Sequence, residues 1–197
     1  MEANRIDISL PVIPPFKGNK ETRLIVLGQD PTIKNQESRM NITCTLNLDK
    51  ENALKKYIGY VCNRLGFTID NVYATNLYKY FYSRPPAQTL HVLQAHLAPN
   101  IELLIRELFE YENIPVITLG EPVLQLLVNE KAKVRGYWDY DVKSGKSNGR
   151  FTFSKASENK LHRDFFPFPH QPSIRKEFYQ KTIKDYLDFV KLQNTQN

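Results

Sequence analysis

A chain of 197 residues, 41% hydrophobic and 12% aromatic, has room for one domain with a full core. Its net charge of +6 at pH 7 favours a polyanionic partner, because basic side chains that neutralise phosphates release counterions. Two cysteines, Cys44 and Cys62, exclude a disulfide framework and a four-cysteine metal site, and the lack of a transmembrane-length apolar run or a signal pattern predicts a cytoplasmic protein off the membrane.

Residues 1–22 read as an extended arm, with Pro11, Pro14 and Pro15 restricting the backbone and Gly18-Asn19-Lys20 turning it. A buried strand follows over 23–28, and Gly28-Gln29-Asp30-Pro31 ends it. Residues 31–50 are polar and aperiodic, a long loop with at most a short helical turn. Leu54, Tyr57, Ile58, Val61 and Leu65 fall on one helical face, so 53–65 is a helix that Gly66 stops. A second strand covers 71–76 and ends on Thr75-Asn76. The run from Leu77 to Pro86 is aromatic and basic, and reads equally as rings packed on the core or as a base-stacking surface.

Residues 88–111 hold one or two helices, broken near Pro99. Pro115 to Gly120 is a third strand, with a short helix after it that starts around Pro122. The stretches 137–142 and 150–153 flank Ser144-Gly145-Lys146-Ser147-Asn148-Gly149, the signature of a hairpin near 137–153. Phe165 to Pro169 is a last edge strand, followed by His170-Gln171-Pro172-Ser173. An amphipathic helix from Glu177 to Leu192 closes the fold, and 193–197 is a frayed tail. Strands alternating with helices predict a single three-layer α/β/α domain around a mostly parallel four-stranded sheet.

Three polar groups follow predicted strands: Asp30 with Gln29, Asn76 with Thr75, and His170 with Ser173. Alone, each has an ordinary reading, since Asp before Pro forms turns and Asn ends strands. In parallel strands they share one edge, where open α/β sheets bind ligands. A carboxylate polarises water, an asparagine amide matches the donor and acceptor of a pyrimidine edge, and a histidine donates to an oxygen gaining negative charge. Such a trio suits cleavage of a bond from sugar to base.

The same residues carry a resemblance. Gly28-Gln29-Asp30-Pro31 resembles the water-activating motif of the first family of uracil-DNA glycosylases. Residues 71–77 with Arg84-Pro85-Pro86 resemble the family-four segment that ends in a uracil-reading asparagine, and 116–120 resembles a strand of the same enzymes. His170-Gln171-Pro172-Ser173 resembles their His-Pro-Ser motif. The order is conserved across about residues 23–190. The resemblance implies that Asp30 activates water, His170 stabilises the leaving base, Asn76 reads that base, and Gln29, Gly28, Pro31 and Ser173 line the substrate site. It implies that Ser173 and the backbone beside Pro172 grip a DNA phosphate, with Ile174 as the wedge that replaces a flipped nucleotide; the basic Lys79, Arg84, Arg175 and Lys176 flank the proposed DNA cleft. It implies DNA, uracil-containing or single-stranded, as the partner of a monomeric hydrolase acting without metal or cofactor.

The chain departs from these families in four places. Thr32-Ile33 replace Tyr-His, Gln171 is inserted before Pro172, and the cysteines of the family-four iron–sulfur cluster are missing. No Phe, Tyr or Trp occurs from Pro31 to Lys56, so a residue stacked on the base would be aliphatic, such as Leu46 or Leu48. Two functions follow: excision of uracil or a related deaminated base, or nucleic-acid binding on the same fold with weak or no catalysis. A small-nucleoside hydrolase ranks below both, as the chain has no Gly-x-Ser-x-Gly elbow and no phosphate-loop lysine motif.

Overall fold

The computed structural model describes residues 4–86 and 90–194. Residues 88–89 of the predicted helical stretch, and the ends of the arm and tail, lie outside them. Five strands form one sheet in the order β1-β3-β2-β4-β5: β1 Phe16–Lys17, β2 Leu24–Gly28, β3 Val72–Asn76, β4 Val116–Leu119 and β5 Phe165–Phe168. β2 to β5 run parallel, and β1 pairs antiparallel with β3. The extra strand, against the four expected, comes from the arm, where two residues after Pro14-Pro15 continue the sheet edge. Every residue of β2 to β5 is buried, so both faces of the sheet are covered, as continuous apolar runs in parallel sheets require.

Among the described residues six α-helices accompany the strands: α1 Ala53–Leu65, α2 Leu90–Ala95, α3 Leu97–Leu108, α4 Glu121–Leu127, α5 Val134–Tyr137 and α6 Glu177–Asn194. α1 starts where Asn52 accepts the Lys55 N–H at 2.8 Å and ends at Gly66, whose N–H reaches the Asn63 carbonyl. The break expected near Pro99 falls at His96; Pro99 occupies the first turn of α3, where its missing N–H costs nothing. The loop over 31–50 contains two 3₁₀ turns, Glu37–Asn41 and Thr45–Asn47.

The expected hairpin near 137–153 does not form two strands. Tyr140 and Ser147 make one isolated bridge, and α5 opens the segment. Its alternating rings instead pack inward: Phe151 meets Tyr186 and Phe189 of α6, and Phe153 meets Phe166 of β5. Trp138 is fully buried, stacked on Tyr186 at 4.3 Å, and donates to the Pro167 carbonyl at 2.8 Å. That contact ties the segment to β5 and so to the loop that carries His170.

Candidate active site

After β3 the chain crosses back over β2 to place β4 on its other side, so the strand order reverses between β2 and β4. A crevice opens at such a point, beyond the carboxyl ends of the strands. Gly28-Gln29-Asp30 leaves β2 there, Asn76 ends β3 in register with Gly28, and His170 follows β5 beside β4. The topology therefore brings all three predicted groups to one edge.

Asn76 is 1% exposed, and neither its Oδ1 nor its Nδ2 has a hydrogen-bond partner. A buried amide left without partners costs about 1–3 kcal/mol. Gly28 makes its placement possible: a Cβ there would fall 2.3 Å from Asn76 Oδ1 and 2.9 Å from Leu46 Cδ2. Leu46 and the amide thus meet over Gly28. Leu46 holds φ at +58°, a left-handed conformation that is strained for a leucine. The long loop folds back to the strand ends, where the Leu46 side chain and the Asn76 amide both lie at Gly28. Leu48 is fully buried and lies in the core.

Asp30 is half-buried. Its carboxylate accepts the Thr32 N–H and a Gln29 Nε2 hydrogen, both at 2.8 Å. The Thr32 contact is the Asx turn expected of Asp before Pro. Loss of hydration raises the Asp30 pKa above its ordinary 3.8, and the hydrogen bonds from Thr32 and Gln29 oppose this without cancelling it. Pro31 is buried beneath the turn. The Thr32 hydroxyl accepts the Tyr82 N–H at 2.8 Å, and the buried Arg39 guanidinium donates to the carbonyls of Ile33 at 3.0 Å and Tyr82 at 2.9 Å. These bonds join the loops after β2 and β3 into one wall.

Within 77–86, Tyr78, Phe81 and Tyr82 are buried, so their rings pack on the core and offer no face for base stacking. Lys79, expected among the DNA contacts, is half-buried and held by an ion pair. Its ammonium pairs with Glu107 of α3 at 2.6 Å and donates to Thr75 Oγ1 at 2.5 Å and to the Asn76 carbonyl at 2.8 Å. The other Glu107 oxygen accepts the hydroxyls of Tyr73 and Thr75, each at 2.7 Å. The pair fixes the end of β3 on the face away from the Asn76 amide. Arg84 is exposed, and its backbone is bonded to Asn4.

His170 projects from the turn after β5. The Tyr57 hydroxyl of α1 donates to the Pro169 carbonyl at 3.2 Å, and the His170 carbonyl accepts the N–H groups of Ser173 at 2.8 Å and Ile174 at 3.2 Å. Gly120, at φ +95°, ends β4 against it; a Cβ there would stand 3.2 Å from the histidine Cβ. The side chain keeps substantial exposure, yet the desolvation it does undergo lowers its pKa below the ordinary 6.5. At neutral pH the ring is therefore neutral, with one N–H to donate. Ser173 and Ile174 are half-buried, Pro172 and Arg175 exposed. Among the described residues no group of three His, Cys, Asp or Glu side chains could hold a metal ion, and no helix is long and apolar enough to cross a membrane.

The family model of the uracil DNA glycosylase superfamily matches residues 15–191, from β1 to the last turns of α6. The chain belongs to the uracil DNA glycosylase superfamily. No curated protein matches it. Membership gives this superfamily member a glycosylase-like hydrolase fold suited to DNA. Exchange of the partnerless Asn76 amide for an apolar isostere, Asn76→Leu, is expected to raise unfolding free energy by about 1–3 kcal/mol in urea titrations. The sequence reading missed Glu107, Gly120, Tyr57 and Trp138, which hold the site residues from distant elements. Only the glycine, closing an apolar run, gave a local signal.

Proposed function

We propose that this protein excises uracil, or a related deaminated base, from DNA by water attack at the glycosidic bond. The observation that carries the reading is the pair of unsatisfied Asn76 polar atoms at the strand edge that also bears Asp30 and His170. A flipped pyrimidine satisfies both atoms through one acceptor and one donor on its edge. The bond from sugar C1′ to the base nitrogen breaks, and its electron pair leaves with the base. The neutral His170 ring donates to the base oxygen on which that charge gathers. Water, oriented by the Asp30 carboxylate, adds its oxygen to C1′ and loses its proton to the carboxylate. Gln29, Gly28 and Pro31 line the base pocket, Ser173 and Pro172 hold a phosphate, Ile174 fills the vacated stack, and Arg84 and Arg175 flank the strand. Leu46 has to swing off Asn76 as the base enters, and then offers the face an aromatic ring would otherwise give.

The test is incubation with single- and double-stranded oligonucleotides that carry one uracil, followed by alkali. Strand scission at that position is expected. Folded protein that leaves every uracil strand intact removes the proposal. The Leu46 side chain beside Gly28, next to the Asn76 amide, favours a second reading, a nucleic-acid-binding module on the same fold. Salt-sensitive DNA binding without base release distinguishes it.

A further inference from the structure

The Asn76 side-chain amide has no hydrogen-bond partner of its own, so its direction is set by its backbone and by the space over Gly28. That backbone is held on both sides of one peptide plane. The Leu77 N–H donates to the Gly28 carbonyl at 2.9 Å, and the Asn76 carbonyl of the same plane accepts from Lys79 Nζ at 2.8 Å. The first bond comes from the neighbouring strand end. The second comes from a side chain that is itself fixed. Its ammonium pairs with one Glu107 oxygen at 2.6 Å, and the other oxygen accepts the Tyr73 and Thr75 hydroxyls. Tyr73 and Thr75 belong to the strand that ends in Asn76, so α3 grips the end of β3 through one carboxylate. The Lys79 carbonyl accepts the N–H of buried Ile13 at 2.7 Å. Ile13 precedes the residues that the family model matches, so this anchor comes from the arm. Burial lowers the Lys79 pKa from its ordinary 10.5, and the Glu107 carboxylate opposes the fall.

We infer that Lys79 and Glu107 are positioning residues for base recognition: the ammonium that Glu107 holds on the Asn76 carbonyl fixes the peptide plane from which the amide meets the base. The inference rests on the reading of Asn76 as the base-binding group, and gives Lys79 a role inside the protein in place of a contact with the DNA strand. Both residues act through Asn76. A peptide plane freed on one side tilts, and a misplacement of about 1 Å in a reacting complex costs about 10²-fold in rate. Removing one partner of a buried ion pair strands a charge, whereas exchanging both for neutral groups of similar volume costs the fold little. The pair can therefore be removed together, which separates position from stability.

Single-turnover release of uracil from a single-stranded oligonucleotide is compared for wild type, K79M/E107Q, N76L and N76L combined with K79M/E107Q. In K79M/E107Q the methionine fills the lysine's volume and the glutamine keeps an oxygen for both hydroxyls, so a melting temperature close to wild type is expected. Its release is expected to be slower by about 10²-fold, with affinity for the strand unchanged. On the N76L background the same exchange is expected to cost less than about twofold more, because groups that act through one residue do not add. E107Q alone, isosteric with wild type, is the second variant and is expected to slow release in the same direction. Wild-type release by both variants, or a loss that multiplies in full with N76L, overturns the positioning role. A loss that follows DNA affinity overturns it too and returns Lys79 to the strand. Free uracil, titrated against isotope-labelled protein by NMR, gives a readout without cleavage. K79M/E107Q is expected to bind it about tenfold more weakly, the worth of one hydrogen bond. Wild type that binds uracil in this pair-dependent way but releases none from DNA upholds the positioning role and removes only the glycosylase reading. Wild type that neither releases nor binds uracil overturns both.

Discussion

Asp30→Asn is expected to lower the single-turnover rate of uracil release by about 10²–10⁴-fold, the usual worth of a positioned acid–base group, with DNA affinity little changed. The amide keeps an oxygen for the Thr32 N–H, so the turn at 30–32 survives. What disappears is the charge that, in the proposed reaction, orients water and accepts its proton. The raised pKa adds a signature in pH. Activity needs the carboxylate ionised, so the wild-type rate falls on acidification at a pH above the ordinary carboxylate value of 3.8. Stability moves oppositely. Because the folded state holds the Asp30 proton more tightly than the unfolded chain, ionisation of Asp30 costs stability as pH rises from about 3.8 through the folded pKa. Asp30→Asn is therefore more stable than wild type at neutral pH, and the gain shrinks toward zero at pH 3.8 and below. Urea titrations across that range check the sign. A variant equal to wild type in rate places the water elsewhere.

Trp138→Ala is expected to cost about 3–5 kcal/mol of folding free energy, the range for a large aromatic truncated in a core. The indole is fully buried between β5 and α6, stacked on Tyr186 and edge-on to Phe168 at 5.5 Å and Tyr179 at 5.1 Å. Its removal opens a cavity and also leaves the Pro167 carbonyl without the indole N–H. At this chain length the loss corresponds to a fall in Tm of about 6–20 °C. Trp138 is the single tryptophan, so circular dichroism rather than fluorescence follows the transition. Trp138→Phe restores part of the packing but not the hydrogen bond, and is expected to fall between the two. Loss below 1 kcal/mol for the alanine variant contradicts the packing account.

Strand and helix positions were legible wherever burial imposed a period. Leu24 to Gly28 and Ala53 to Leu65 are found where their apolar patterns place them. β1 left no pattern, because two residues between a proline pair and a glycine are too few to show alternation. The 137–153 stretch misled for a physical reason: its rings alternate to pack on α6 and β5, and packing imitates strand periodicity. At the site, Asp30, Asn76 and His170 were readable as polar groups at strand ends. Two things were not. The charge on Lys79 is answered by Glu107, twenty-eight residues on, and no local pattern announces a partner at that separation. Nor does sequence reveal that Leu46 returns to Gly28 beside the Asn76 amide, since that depends on how a loop returns through space.

The strand order has a consequence for synthesis. β2 and β3 carry Asp30 and Asn76 and lie side by side, so the water- and base-binding half can assemble while the ribosome is still making the remainder. His170 follows β5, the outer strand beside β4; Tyr57 of α1 bonds the preceding Pro169 carbonyl, and Phe178 and Tyr179 of α6 line a cavity beside it. On the proposed reading, a product lacking α6 is expected to keep the β2 and β3 half of the strand edge and to lose part of the packing around the His170 turn, so it is expected to bind DNA while releasing no base.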